Sequence, residues 1–156
     1  MRRITPWRVF LLLAMAGTLC FIFSRSLRSP GESANESERV KKILMLLLNG
    51  EETALGRFVS RYVRKIAHFT EFFLLGTEAT LFSFSTHRKK LLLYQLGFGL
   101  CVAAADETIQ RFTGRGASVR DVILDFSGFL TATAFLCLIG WSVARYRRIR
   151  RAKKKG

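Results

Sequence analysis

Little in this sequence fits a metal or redox framework. There are three cysteines, Cys20, Cys101 and Cys137, all inside apolar runs and at no spacing used by zinc or thiol–disulfide motifs. They read as lipid- or core-facing fillers. There are two histidines and no H-E-x-x-H arrangement, so neither a metal ligand set nor a cofactor is expected. No small-x-small site follows the first apolar run, which passes straight from Phe23 to Ser24 and Arg25. That predicts an uncleaved anchor rather than a signal peptide. No internal repeat is present. Acidic residues are scarce, 11 against 26 Lys and Arg, for a net charge of +15.

What is abundant is apolar. Hydrophobic residues make up 49% of 156, and mean hydropathy is +0.19 in spite of the charge. The two facts reconcile only if apolar runs and basic patches are segregated. A basic chain suggests nucleic acid, but the distribution argues against it. Eight basic residues (Arg145, Arg147, Arg148, Arg150, Arg151, Lys153, Lys154 and Lys155) fill the last twelve positions, directly after an apolar run. That is the pattern of a cytoplasmic membrane flank, drawn to anionic lipid by roughly 1 kcal/mol per cation.

A bilayer core about 30 Å thick needs roughly 20 apolar residues in helix. The runs predict an all-α, integral membrane four-helix bundle with spans at about 7–23, 66–84, 91–105 and 119–143. Residues 1–144 form one membrane domain, and 145–156 form a basic cytoplasmic tail. Pro30-Gly31 predicts a turn in a polar segment over 24–38. Val40, Ile43, Leu44, Leu47 and Leu48 then repeat at helical spacing beside Lys41 and Lys42, a run too short to span. It predicts an interfacial amphipathic helix between spans one and two, ended by Asn49-Gly50. A long helix starts near Thr53. Residues 106–120 read as a polar loop, with Ser118 and Asp121 as a capping box for the last helix. The N-terminus, the 85–90 loop and the tail are all basic. The positive-inside rule therefore puts both termini in the cytoplasm and the other two connections outside.

That topology gathers polar residues at one outer face: Lys65, His68 and Glu71, then Asp106, Glu107 and Gln110, then Arg115, Asp121 and Asp125. His68 and Glu71 lie one turn apart on one helix face. Asp106 and Glu107 sit where a helix C-terminus disfavours negative charge, so Arg115 or Lys65 are the expected partners. Arg57, Arg61 and Arg64 form a stripe suited to lipid headgroups. Each residue has a plainer reading as a cap, a turn or a snorkelling cation. Ionisable residues such as Glu71, Glu78 and Asp125 within apolar helices are costly and usually functional.

Three ordered blocks resemble the VanZ-like family of membrane proteins. They are Arg64-Lys65-Ile66-Ala67-His68-Phe69-Thr70-Glu71, then Asp106-Glu107-Thr108-Ile109-Gln110, then Gly114-Arg115 through Asp121-Val122, Asp125 and Gly128. The resemblance covers about residues 9–140. There are departures: Thr113 stands where the family usually has Pro, Phe72 where Tyr is common, and Asp125 where Asn is frequent. The resemblance implies a bacterial multi-pass membrane protein; the family's named member is associated with low-level teicoplanin resistance.

Three functions compete on the residues. One is binding of an anionic lipid headgroup or a lipid-linked cell-wall precursor by the polar cluster. A second is an intramembrane enzyme using His68, Glu71 and Asp106 as acid/base groups. A third is a small proton-coupled transporter relaying through Glu78 and His68. Membrane lipids are the expected partners in the first, and nucleic acid is not expected.

Overall fold

The computed structural model describes residues 5–47, 54–86, 89–116 and 118–153. All of the regular structure among them is helical: α1 (Pro6–Ser26), α2 (Pro30–Leu47), α3 (Ala54–Thr86), α4 (Lys89–Phe112) and α5 (Val119–Lys153). The Asn49-Gly50 stop, the start near Thr53, His87 and Arg88 of the basic loop, and Lys154 and Lys155 of the tail lie outside the described residues.

The 21 residues of α1 rise about 31 Å at 1.5 Å per residue. Its inward stripe, Leu11, Thr18, Ile22 and Ser26, follows the helical repeat, while Trp7, Phe10, Leu13 and Phe21 point outward. The 35 residues of α5 extend roughly 52 Å, well beyond a 30 Å hydrocarbon layer. They continue unbroken from the apolar run into the basic segment, which is therefore helical to Lys153. Phe135, Leu138 and Trp141 face outward along it, and Arg145 stacks on the Trp141 ring at 5.3 Å. An apolar exterior of this extent marks a membrane protein.

The expected four membrane crossings require correction. Only α1 and α5 are long and apolar enough to cross a membrane, among the described residues. The runs at 66–84 and 91–105 lie within α3 and α4, which are long enough, but polar side chains interrupt them. Their hydropathy falls mainly because strongly polar residues interrupt them, His68, Glu71 and Glu78 in α3 and Gln95, Asp106 and Glu107 in α4, with smaller hydroxyl and amide groups between. The Ser83 hydroxyl donates to Gln95 Oε1 at 2.7 Å, Gln95 Nε2 donates to Thr80 at 3.2 Å, and Thr80 donates to Thr133 of α5 at 3.1 Å. A chain of satisfied bonds costs little when buried, yet each member subtracts from apolarity.

Two local expectations also change. Pro30 opens α2 rather than a turn. Ser29 N–H donates to Glu32 Oε2 at 2.9 Å, and Glu32 N–H donates to the Ser29 hydroxyl at 3.4 Å. This reciprocal capping box places Pro30 at the first helical position, where its missing N–H has no cost. The Ser29 backbone bond, more than its hydroxyl, holds the Glu32 carboxyl below its usual range. The 106–120 segment is not all loop either, since α4 runs on through Phe112.

Inter-helix contacts fix the packing. Arg8 meets Ser85, Thr18 meets Glu78 and Arg25 meets Glu71, so α1 runs antiparallel to α3. Gly128 approaches Phe69, Phe129 approaches Gly76, and Thr133 meets Thr80, so α5 runs parallel to α3. Ser83 meets Gln95 and Arg64 meets Gln110, so α4 is antiparallel to α3. The core at the centre consists of Ile22, Phe72, Leu75, Ala79, Val102, Ala103 and Phe129. Two glycines let α3 and α5 touch: a Cβ on Gly76 would lie 2.6 Å from the Phe129 carbonyl oxygen, and one on Gly128 would strike the Phe69 carbonyl. Small residues at close helix contacts are typical of packing in lipid.

Candidate functional site

The C-terminal ends of α1 and α4 and the first turns of α5 meet the middle of α3. The parallel register of α3 and α5 sets Asp125 one turn before Gly128 and opposite His68. His68 Nδ1 lies 3.7 Å from Asp106 Oδ2 and 3.7 Å from Asp125 Oδ1. Three helices thus supply one imidazole and two carboxylates, with one ligand atom from each within 4.8 Å of the others.

Asp106 is fully buried and well held. The Ser26 hydroxyl donates to Oδ1, and Gln110 Nε2 donates to Oδ2 at 2.7 Å. Gln110 is fixed in turn by Arg64 Nη2, which donates to its Oε1 at 3.2 Å. Asp106 therefore rests on neutral donors, where the sequence suggested Arg115 or Lys65. Asp125 differs. It is 1% exposed, and among the described residues neither carboxylate oxygen has a hydrogen-bond partner; His68 Nδ1 has none either. An ion buried without compensation costs several kcal/mol, so Asp125 requires a proton or a cation.

Glu71 is drawn away from this trio. Arg25 Nη1 donates to its Oε1 at 2.6 Å, and Arg25 also pairs with Glu36 of α2 at 3.5 Å. Arg28 reaches the same Glu36 oxygen at 2.7 Å. Glu78 lies deeper along α3 and accepts from Thr18 at 3.0 Å.

The turn after α4 aims Arg115. Arg115 N–H bonds to the Gln110 carbonyl at 3.0 Å and Gly114 N–H to the Arg111 carbonyl at 3.2 Å, with Gly114 at φ 77°. This is a Schellman closure. The buried Arg115 guanidinium then donates from Nη1 to the Arg25 carbonyl at 2.9 Å. Burial lowers its pKa, and neighbouring Arg64 adds to that.

Glu107 Oε1 accepts from Ser118 N–H at 3.0 Å, the bond that the expected capping box assigned to Asp121. The Ser118 hydroxyl caps Arg120 N–H at 3.1 Å. Burial raises the Glu107 carboxyl, and the Ser118 bond partly offsets it.

A cavity of about 130 Å³ opens beside the trio. Arg64, Lys65, His68, Gln110, Asp121 and Asp125 are among its lining residues. The structure thus brings Lys65, His68, Glu107, Gln110, Asp121 and Asp125 around one space, with Asp106 against His68 but off the lining, and Arg115 turned to the Arg25 carbonyl. Arg57 and Arg61 lie earlier on α3 with exposed side chains. Arg25 and Ser26 also belong to the site, through Glu71 and Asp106, and the sequence pattern does not single them out. The available signal was their position directly after an apolar run, where a polar pair ends a helix facing its neighbours.

No curated protein and no solved structure matches the chain. A family model described as VanZ/LLP1 matches residues 9–140, which include every one of these site residues, and the chain belongs to the VanZ/LLP1 family.

Proposed function

We propose that this VanZ/LLP1 protein is a membrane enzyme whose acid–base centre is His68, Asp106 and Asp125. The observation that carries the reading is the unpartnered His68 Nδ1, 3.7 Å from a carboxylate on each of two other helices. An imidazole beside a fixed carboxylate is a proton-transfer pair, worth about 10²–10⁴ in rate when it reaches a reacting group. Asp106, held by Ser26 and Gln110, orients the ring. Asp125, without donors, is the group that changes protonation. Glu71, matched to Arg25, positions α1 against α3 and does not share the acid/base role.

Arg64 and Lys65 line the cavity and favour an anionic substrate group, for which a phosphate-bearing lipid headgroup or lipid-linked precursor is a suitable class. The test is a time course of the purified protein in mild detergent with a bacterial polar-lipid extract, read by mass spectrometry. Wild type is expected to consume one anionic species and form a product, and His68→Ala and Asp125→Asn to leave it intact. If no species changes, or if it is lost equally with His68→Ala, the enzyme reading is wrong.

The same two cations support a second reading, headgroup binding without turnover. In that case Arg64→Gln with Lys65→Gln removes co-purified anionic lipid, while wild type retains it unchanged. An accessory role in teicoplanin-type resistance is measured separately. Cells expressing wild type would tolerate more teicoplanin than cells expressing Asp125→Asn.

A further inference from the structure

The buried trio has a geometry beyond what proton transfer requires. We propose that His68 Nδ1, Asp106 Oδ2 and an oxygen of Asp125 hold a divalent transition-metal ion of the zinc or manganese class, with an open coordination position toward the cavity. The inference rests on the proposed role of these three residues and deepens it.

Four observations converge. The first is ligand type: one imidazole and two carboxylates are suited to Zn²⁺ and Mn²⁺. The second is spacing. Metal–ligand bonds of about 2.0–2.2 Å put tetrahedral ligand atoms roughly 3.3–3.6 Å apart. Nδ1 is 3.7 Å from each carboxylate oxygen, and ligand atoms of all three residues lie within 4.8 Å of one another. Small torsional adjustments close that difference.

The third is the unmet valence. Both Asp125 oxygens and His68 Nδ1 are buried without partners among the described residues, although the guanidinium groups of Arg64, Arg115 and Arg25 are close enough to act on His68 by charge. Those guanidinium groups are directed to Gln110, the Arg25 carbonyl and Glu71 respectively. The fourth is the supporting shell. Ser26 and Gln110 hold Asp106 by both oxygens, as the carboxylates of metal centres are held. Three protein ligands beside a cavity correspond to a catalytic site with one position open, rather than to a closed structural site.

The sequence concealed this arrangement because its three ligands come from three helices, 38 and 19 residues apart in the chain. No local motif records such a set.

The test uses the full chain in mild detergent, stripped with a chelator and dialysed against Zn²⁺ or Mn²⁺. Metal content is read by mass spectrometry and affinity by calorimetry. Wild type is expected to retain about one equivalent. Asp125→Asn and His68→Ala are expected to bind at least about 100-fold more weakly, and Ser26→Ala about 10–100-fold more weakly. Glu78→Gln, another buried carboxyl but away from the trio, is expected to retain the full equivalent. Co²⁺ loading gives a second readout, since d–d absorption appears with wild type and is lost with Asp125→Asn even where that variant folds normally. Absence of saturable metal in wild type, or binding unchanged in Asp125→Asn, overturns the proposal. Turnover that survives complete metal removal overturns the metal and leaves the acid–base reading standing. Stoichiometric metal without turnover of any lipid does the reverse.

Discussion

His68 of α3 and Asp125 of α5 face each other at 3.7 Å, and among the described residues neither has a hydrogen-bond partner at the facing atoms. Helices that pack this closely ordinarily bury apolar or fully bonded groups. The pair is held open by its surroundings: the glycine contact at Gly128 sets the distance between helices, and Asp106 occupies the third side. An unmet polar group at such a position is retained at a cost in stability, which is common where a site has work to do.

That cost is measurable. Asp125→Asn removes the ionisable carboxyl, and with it the need for a proton or a cation, while keeping shape. Chelator-treated Asp125→Asn protein is expected to unfold at a higher temperature in detergent than equally treated wild type, while losing lipid turnover. A lower unfolding temperature would show that the carboxylate is already compensated by the fold.

Gly128→Ala tests the helix contact. The added methyl would strike the Phe69 carbonyl, which is backbone and cannot swing aside. Overpacking of this kind costs about 1–3 kcal/mol, and it should separate His68 from Asp125. The expected outcome is a lower unfolding temperature together with reduced turnover. Gly97→Ala, inside α4 with open space around it, is the matched control; it should leave turnover unchanged and not lower the unfolding temperature, since alanine favours helix over glycine.

Arg25 and Glu71 should behave as a coupled pair. Their 2.6 Å contact joins α1 to α3 with side chains 20% and 10% exposed. Arg25→Met leaves Glu71 largely buried without its partner, and breaking a buried pair is more costly than replacing it whole. Arg25→Met is therefore expected to destabilise more than Arg25→Met with Glu71→Leu. The coupling in a double-mutant cycle should fall in the range of about 0.5–3 kcal/mol for contacting residues; purely additive effects would count against the pairing.

Gly114→Ala probes the turn that aims Arg115. At φ 77° a β-carbon costs about 1–2 kcal/mol. The variant should unfold at a lower temperature, with metal affinity falling less than in Ser26→Ala because Arg115 does not touch the trio's ligand atoms.

The glycines and capping residues show how unevenly the sequence speaks. Apolar periodicity and long runs located the helices, because a helix needs only its own residues to declare its inward face. The Ser29/Glu32 capping box around Pro30 was equally local, and Pro-Gly was read as a turn because both a turn and a first helical position accept proline. The span count failed for a different reason. Hydropathy scores Glu71, Glu78 and Gln95 alike whether they face lipid or the helix interior, and here Arg25 meets Glu71, Thr18 meets Glu78, and Ser83 and Thr80 meet Gln95.

By itself the sequence determined an all-α chain of membrane character, its membership in one family, and the set of polar residues from which a site could be built. Which of them meet was decided only by the tertiary structure. His68 and Glu71 share one helix face, yet the antiparallel register of α1 gives Glu71 to Arg25. The parallel register of α5, locked where Gly128 and Gly76 admit backbone contact, gives His68 to Asp125 instead. Partner choice across helices depends on their rotation and offset, which are set by packing over the whole interface and are written in no single stretch of chain.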